Sequence, residues 1–337
     1  MDESKAKIAL TIGDPCGVGP EITASLMENG TIDMADTFVI GMVESVIEYL
    51  PETARKRIPV IASEDARSWN GPFPVLVDAG VRMDIVKGVV TKEGGLVSAK
   101  GVEIAVALVK EGIAEGIVTG PISKEALSLA GYPFRGHTNM LSRLFEEPDC
   151  QMLMVAGGLK ILILTRDMAL REVPAKVTRG KIVSGISKAV EGLKLWWGIE
   201  EPRVAVSALN PHAGDGGVLG KEEIDEIIPA VKELASSGFS IDGPFPADTL
   251  FFEWERKGYD LFVAMYHDQG MIPFKMIGFL GGVNVTVGLP VIRTSVSHGT
   301  AYDIAGKGKA KTESLENAFE LAVRCALTKR GVKESRR

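Results

Sequence analysis

Short apolar runs alternate with longer stretches of helical period along this chain. Residues 7–12, 37–42, 116–119, 204–208 and 261–265 are brief, largely apolar segments bounded by Gly, Pro, Asp or Asn, the signature of buried strands. Residues 152–156 and 161–164 are two more, and Gly157-Gly158 between them predicts a hairpin. Helices are expected at 20–29, which opens with Pro, and at 98–115, after the Gly94-Gly95 pair. In the second of these Ile104, Ala107 and Leu108 stand at i, i+3, i+4 spacing. Helical period also marks 182–195, an acidic amphipathic segment at 221–236, and 314–327. Strands alternating with helices predict a layered α/β fold. The 337 residues suit two domains, and neither a repeat nor a low-complexity linker separates them.

Charge and cysteine content narrow the function. Lys plus Arg number 38 and Asp plus Glu 44, a formal net charge of −6. That balance argues against a nucleic-acid binder but leaves room for a local cationic cluster around a small anion. Cys16, Cys150 and Cys325 are too scattered for a disulfide framework or a Cys-x-x-Cys metal pair. The start lacks the apolar stretch of a signal peptide. Residues 276–292 carry no charge, but Gly and Pro interrupt them and they fall short of the ~20 residues of a membrane helix. They read as buried strand and loop, and a cytoplasmic enzyme is expected.

Polar residues gather where strands end. Gly13-Asp14-Pro15, Gly120-Pro121-Ile122-Ser123-Lys124, Thr165-Arg166-Asp167, Leu209-Asn210-Pro211-His212 and Tyr266-His267-Asp268-Gln269 each follow an apolar run. In open α/β sheets ligands bind beyond the carboxyl ends of strands. All four histidines (His137, His212, His267, His298) lie in such loop-like segments. His212, His267 and Asp167 would offer two nitrogens and one oxygen with open positions left over, the donor set of a catalytic rather than a structural metal. The segment GDPCGVGPE at 13–21 is either an anion-binding loop of backbone N–H groups or simply a tight strand-to-helix turn. No G-x-G-x-x-G dinucleotide fingerprint occurs. Lys275, Asn284 and Arg293 bracket the uncharged stretch, as holders of a phosphate and a carboxylate or as a solvated loop edge.

Taken in order, TIGDPCGVGPEI, VTGPISKEAL, GHTNML, NPHAGDGG, YHDQG and GVNVTVGLPVIRTSVSHGTAYDIAGKGKA resemble the 4-hydroxythreonine-4-phosphate dehydrogenase (PdxA) family of pyridoxal phosphate biosynthesis over nearly the whole chain. The resemblance implies NAD- or NADP-dependent oxidation of a phosphorylated 3-hydroxy acid, with a divalent metal (zinc, magnesium, manganese or cobalt) and subsequent decarboxylation. It implies an α/β/α fold of two domains like that of isocitrate and isopropylmalate dehydrogenases. Residues 1–135 with 288–337 would form one domain carrying the cofactor loop. Residues 136–287 would form the other, with the metal ligands and the contacts of a homodimer whose subunits share the active site.

By the same resemblance His212 and His267 match metal-binding histidines, His137 and Thr138 match substrate contacts, and Lys275, Asn284 and Arg293 match further substrate contacts. Lys275 and Arg293 would position the carboxylate and phosphate; Asp248 and Lys124 are candidate general bases. Two positions depart from the family pattern: Asp167 stands where a third metal histidine is expected, and Asn139 where the GHT motif continues with Glu. SHGTAYDIAGKG is similar to the adenosine loop of isocitrate and isopropylmalate dehydrogenases, which places His298, Gly299 and Thr300 at the adenine side. Asp303 would then face the ribose, favouring NAD over NADP. The stretch GMIPFKMIGF is similar to the branch acting on D-threonate or D-erythronate 4-phosphate, the alternative substrates. A phosphotransacetylase-like acyltransferase is the reading from another class.

Overall fold

The computed structural model describes residues 5–335, and side chains as far as residue 331. The chain divides into two compact units, Met1–Pro148 with Leu289–Arg337, and Asp149–Gly288. In chain order the first unit supplies β1 (Lys7–Thr11), β2 (Asp36–Gly41), β3 (Val60–Ala62), β4 (Val75–Asp78) and β5 (Gly116–Thr119). The second supplies β6 (Gln151–Ala156), β7 (Leu159–Thr165), β8 (Arg203–Ser207), β9 (Ser240–Phe245), β10 (Leu261–Tyr266) and β11 (Val283–Val287), and β12 (Ile292–Val296) returns to the first.

In the first unit the order is β3-β4-β2-β1-β5-β12, all parallel. Every residue of β2, β5 and β12 is buried. That explains why β2 and β5 read as largely apolar runs: helices cover both faces of a parallel sheet. Helix Glu313–Ser335 buries Leu315, Ala318, Phe319 and Ala322, and its Ala318 carbonyl accepts a 2.7 Å hydrogen bond from Thr294 Oγ1 of β12.

In the second unit the order is β11-β6-β7-β10-β8-β9. The β6–β7 hairpin predicted around Gly157-Gly158 is antiparallel, with both glycines at positive φ. The β7, β10, β8 and β9 ladder is parallel. Leu159, Ile161, Ile163, Phe262 and Phe274 pack together as the core; burying either aromatic ring stabilises by about 1.5–3 kcal/mol.

Several expectations shift. The helix expected from 98 starts at Lys92, because the Thr91 hydroxyl caps it by accepting from Gly94 N at 3.0 Å. Gly94 and Gly95 therefore lie inside it. A Cβ on Gly95 would stand 2.0 Å from the Ala126 carbonyl oxygen, so the glycine permits a close helix approach. The segment 221–236 is a π-turn (Glu223–Ile227) running into an α-helix (Ile228–Ser236). Pro229 has no N–H to complete the α ladder there. Residues 276–278, read as strand or loop, close a helix (His267–Gly278) that forms despite Pro273. Helix His137–Phe145 belongs to the first unit, so the division falls after Pro148 rather than at 135. All three cysteines are free and buried. Among the described residues no helix is long and apolar enough to cross a membrane.

Candidate active site

In the first unit the strand order reverses direction between β1 and β5, which opens a crevice at their carboxyl ends. Three loops meet there. Gly120 N donates to Thr11 O at 2.7 Å, and Asp14 N donates to Pro121 O at 2.9 Å. Gly13, at φ +78, lies so close to Pro121 that a Cβ would stand 2.1 Å from its carbonyl oxygen. The loop after β12 joins them: Val18 N donates to Thr300 O at 3.0 Å, and Gly306 N to Glu21 Oε2 at 3.2 Å. Within GDPCGVGPE the N–H groups of Asp14, Cys16, Gly17 and Val18 are thus taken up by neighbouring acceptors.

Sequence reasoning missed the pair at the centre of this junction. Asp14 is fully buried; it accepts from Tyr302 Oη at 2.7 Å and from Cys16 N at 2.9 Å. Burial pushes its carboxyl pKa up, against the lowering effect of those two bonds. The Tyr302 phenol is pushed up in turn, by burial first and then by Asp14. Of the residues expected to take the cofactor, Thr300 is buried here, while His298, Gly299 and Asp303 face outward. Lys307 Nζ donates to the backbone oxygen of Asp303 at 2.6 Å, leaving that carboxylate at the surface.

Three of the expected substrate contacts also lie in this unit. His137 begins helix His137–Phe145, and its Nε2 is shut from solvent with no hydrogen-bond partner among the described residues. Burial, helped by the Arg293 charge, holds its pKa well below the usual histidine range, so the ring is neutral. Thr138 is half-buried beside it, and Asn139 reaches back to accept from Arg135 N at 3.4 Å. Arg293, buried on β12, donates to Thr119 Oγ1 at 2.5 Å. Lys124 is exposed at the start of its helix.

In the second unit the parallel neighbours β7, β10 and β8 end on one edge, and Asp167, His267 and His212 follow those ends. Cross-braces hold the ends together. Thr165 Oγ1 donates to Met265 O at 2.7 Å. Gln269 accepts from Met265 N at 2.7 Å and donates to Ala208 O at 2.8 Å. Asp167 and His267 line one pocket of about 380 Å³ with Thr165, Arg166, Tyr266 and Asp268. Asp167 sits at φ +54, a conformation in which a non-glycine residue stores strain. The His267 Nδ1 is 2.7 Å from Asp268 Oδ1, which leaves Nε2 as the donor atom.

His212 does not line that pocket. Among the described residues of the single chain no three His, Cys, Asp or Glu side chains converge as a metal cage. Two of the three expected donors, Asp167 and His267, thus line one pocket, and a carboxylate oxygen with an imidazole nitrogen is a donor pair that would suit a divalent cation. His212 opens a left-handed turn of five residues, with φ of +54, +55, +79, +44 and +66 from His212 to Gly216. Beneath it lies Glu223, 1% exposed. Its carboxylate accepts from Leu209 N (2.8 Å), Asn210 N (2.7 Å) and Asn210 Nδ2 (2.9 Å). Glu223 was legible in the sequence only as one acid in an acidic helix.

Lys275, half-buried, stands over the Phe279 ring at 5.2 Å, and burial pushes its pKa down. Asn284 lies on β11 with its Oδ1 shut from solvent and unpartnered among the described residues. Asp248 is exposed in the short helix Ala247–Leu250.

Fold and strand-end chemistry together define an α/β enzyme with candidate site residues in each of its two units. The family model described as "Pyridoxal phosphate biosynthetic protein PdxA" matches residues 33–322. The chain is 39% identical to the 4-hydroxythreonine-4-phosphate dehydrogenase of Desulforapulum autotrophicum, covering 96% of each chain. It is 40% identical to the D-threonate 4-phosphate dehydrogenase of Cupriavidus necator, covering 97% of this chain and 100% of that one. The crystal structure of a 4-hydroxythreonine-4-phosphate dehydrogenase from Klebsiella pneumoniae superposes with a TM-score of 0.82 at 36% identity, over 96% of this chain and 99% of that one. The chain belongs to the PdxA family. Its relatives are dehydrogenases, which sets the acyltransferase reading aside: this is an oxidoreductase acting on a CH–OH group.

Proposed function

We propose that this chain oxidises 4-phosphohydroxy-L-threonine with NAD and releases CO₂, giving 3-amino-2-oxopropyl phosphate, as a cytoplasmic homodimer holding a divalent cation. The observation that carries this reading is the pocket shared by Asp167 and His267 at the carboxyl edge of the second unit's sheet, in a chain of the PdxA family. When bound, NAD accepts the hydride and the cation lowers the pKa of the substrate hydroxyl.

The chain's own residues do the rest. Asp167, His267 and His212 would hold the cation, the Asp268 carboxylate fixing the His267 ring. Neutral His137 and the amide oxygen of Asn284 each present a buried polar atom that a substrate would satisfy. Lys275 and Arg293 supply positive charge for the carboxylate and phosphate. The outward Asp303 carboxylate accepts from a ribose hydroxyl and repels a 2′-phosphate, which supports NAD over NADP. Dimer formation is supported by an apolar surface: Ile272, Met276 and Phe279 are 61%, 83% and 70% exposed around the end of one helix. A second copy seated there would explain why one chain alone assembles only part of the donor set.

A second reading, D-threonate or D-erythronate 4-phosphate oxidised to dihydroxyacetone phosphate and CO₂, is favoured by the GMIPFKMIGF stretch and by the Cupriavidus relative. One experiment decides. The purified protein, with NAD and each of zinc, magnesium, manganese and cobalt, is offered the three phosphorylated acids while NADH absorbance is followed. Turnover of 4-phosphohydroxy-L-threonine is expected. NADH from none of the three refutes the assignment, and light scattering at the monomer mass refutes the dimer.

A further inference from the structure

Arg166 lies between the end of β7 and Asp167, half-buried, and lines the same pocket as Asp167 and His267. A guanidinium carries five donors and no acceptor. Among the described residues no hydrogen bond or ion pair engages it, although its donors are partly withdrawn from water. Two further cations, Lys176 and Lys181, stand behind it.

A cation kept partly dry without an acceptor is costly to the folded chain unless a ligand supplies the missing oxygens. We propose that Arg166 is a substrate-binding residue whose guanidinium takes the carboxylate of the acid bound in this pocket. This rests on the reading that the pocket beside Asp167 and His267 receives the substrate. Charge favours the carboxylate over the phosphate. The pocket wall carries one arginine against two acids, Asp167 and Asp268, so a monoanion is accommodated more readily than a dianion. The fork geometry of arginine also matches the two oxygens of a carboxylate, which a lysine cannot reproduce.

The test uses the full chain and the variants Arg166→Lys and Arg166→Gln. Calorimetry measures binding of D-threonate, which has a carboxylate and no phosphate, and of inorganic phosphate. Expected are a loss of D-threonate affinity of at least about tenfold in both variants and unchanged phosphate binding. Kinetically, KM for the phosphorylated acid rises by a similar factor, while KM for NAD stays put and kcat changes little. Thermal unfolding of ligand-free Arg166→Gln should be no earlier than that of the parent, since an unpartnered charge is being removed. Full D-threonate affinity in Arg166→Gln overturns the proposal. So does rescue by Arg166→Lys, a loss confined to phosphate, or a parent protein that fails to bind D-threonate. If no acid is turned over, the functional reading fails, and the calorimetric arm still decides the role of Arg166.

Discussion

Replacing Glu223 by Ala should release the turn that carries His212. In the native chain that turn holds three non-glycine residues, His212, Ala213 and Asp215, in the left-handed region. At about 1–2 kcal/mol each, the strain is about 3–6 kcal/mol. Against it stand three hydrogen bonds to the buried Glu223 carboxylate, from Leu209 N, Asn210 N and Asn210 Nδ2. Bonds to a charged group contribute about 1.5–3 kcal/mol apiece. Losing all three costs about 4.5–9 kcal/mol locally, as much as the strain they hold, so the turn should open. Hydrogen exchange read by mass spectrometry over residues 209–217 should accelerate at least about a hundredfold, at about 1.4 kcal/mol per factor of ten. Peptides from β1 and β5 serve as unchanged controls. Glu223→Gln is the informative companion. Its carbonyl can still accept from both backbone amides, but its NH₂ faces the Asn210 amide nitrogen, so exchange should rise only about tenfold. Unaltered exchange in Glu223→Ala, or equal acceleration in both variants, would refute the assignment of Glu223 as anchor.

Other outcomes follow from neighbouring features. Gly95→Ala replaces a poor helix former by the best one, worth about 1 kcal/mol in an open helix. Here the new methyl meets the Ala126 carbonyl oxygen at 2.0 Å, so the melting temperature should fall; a rise would contradict the close approach. Burial pushes the Glu115 pKa up, but the hydrogen bonds from Arg330 and from Lys7 N outweigh it and the net shift is downward. A depressed carboxylate stabilises above its unfolded value and loses that contribution as pH falls through the folded one. Urea denaturation should therefore show Glu115→Gln closing its stability gap to the parent below about pH 4.5, with the full gap at pH 7. A gap constant across that range would count against the ion pair.

Local pattern announced β1, β2, β5, β7, β8 and β10, because strands covered on both faces are apolar throughout. It announced the hairpin because Gly157-Gly158 supplies the positive φ that the turn requires. Helix His267–Gly278 was hidden by Pro273 and by glycines that disrupt its period. The candidate site was legible as residue types at strand ends, since a strand's last residue is a local property. The partners of those residues were not. Tyr302 meets Asp14 across 288 positions of sequence, Gln269 reaches Ala208 across 61, and Glu223 finds Asn210 only through the π-turn. Such pairings exist only once the sheet order is set, and no single window of residues encodes them.

The return of β12 to the first unit has a consequence for synthesis on the ribosome. Asp149–Gly288 is one continuous stretch and can close its core as soon as it emerges. The segment ahead of it cannot. Until residues 289–335 are translated, β5 is an open border lacking β12, and the pocket for Leu315 and Phe319 stands empty. The part made first is therefore the part finished last, and a nascent chain stalled before residue 289 would expose an apolar edge ready to pair with a stranger.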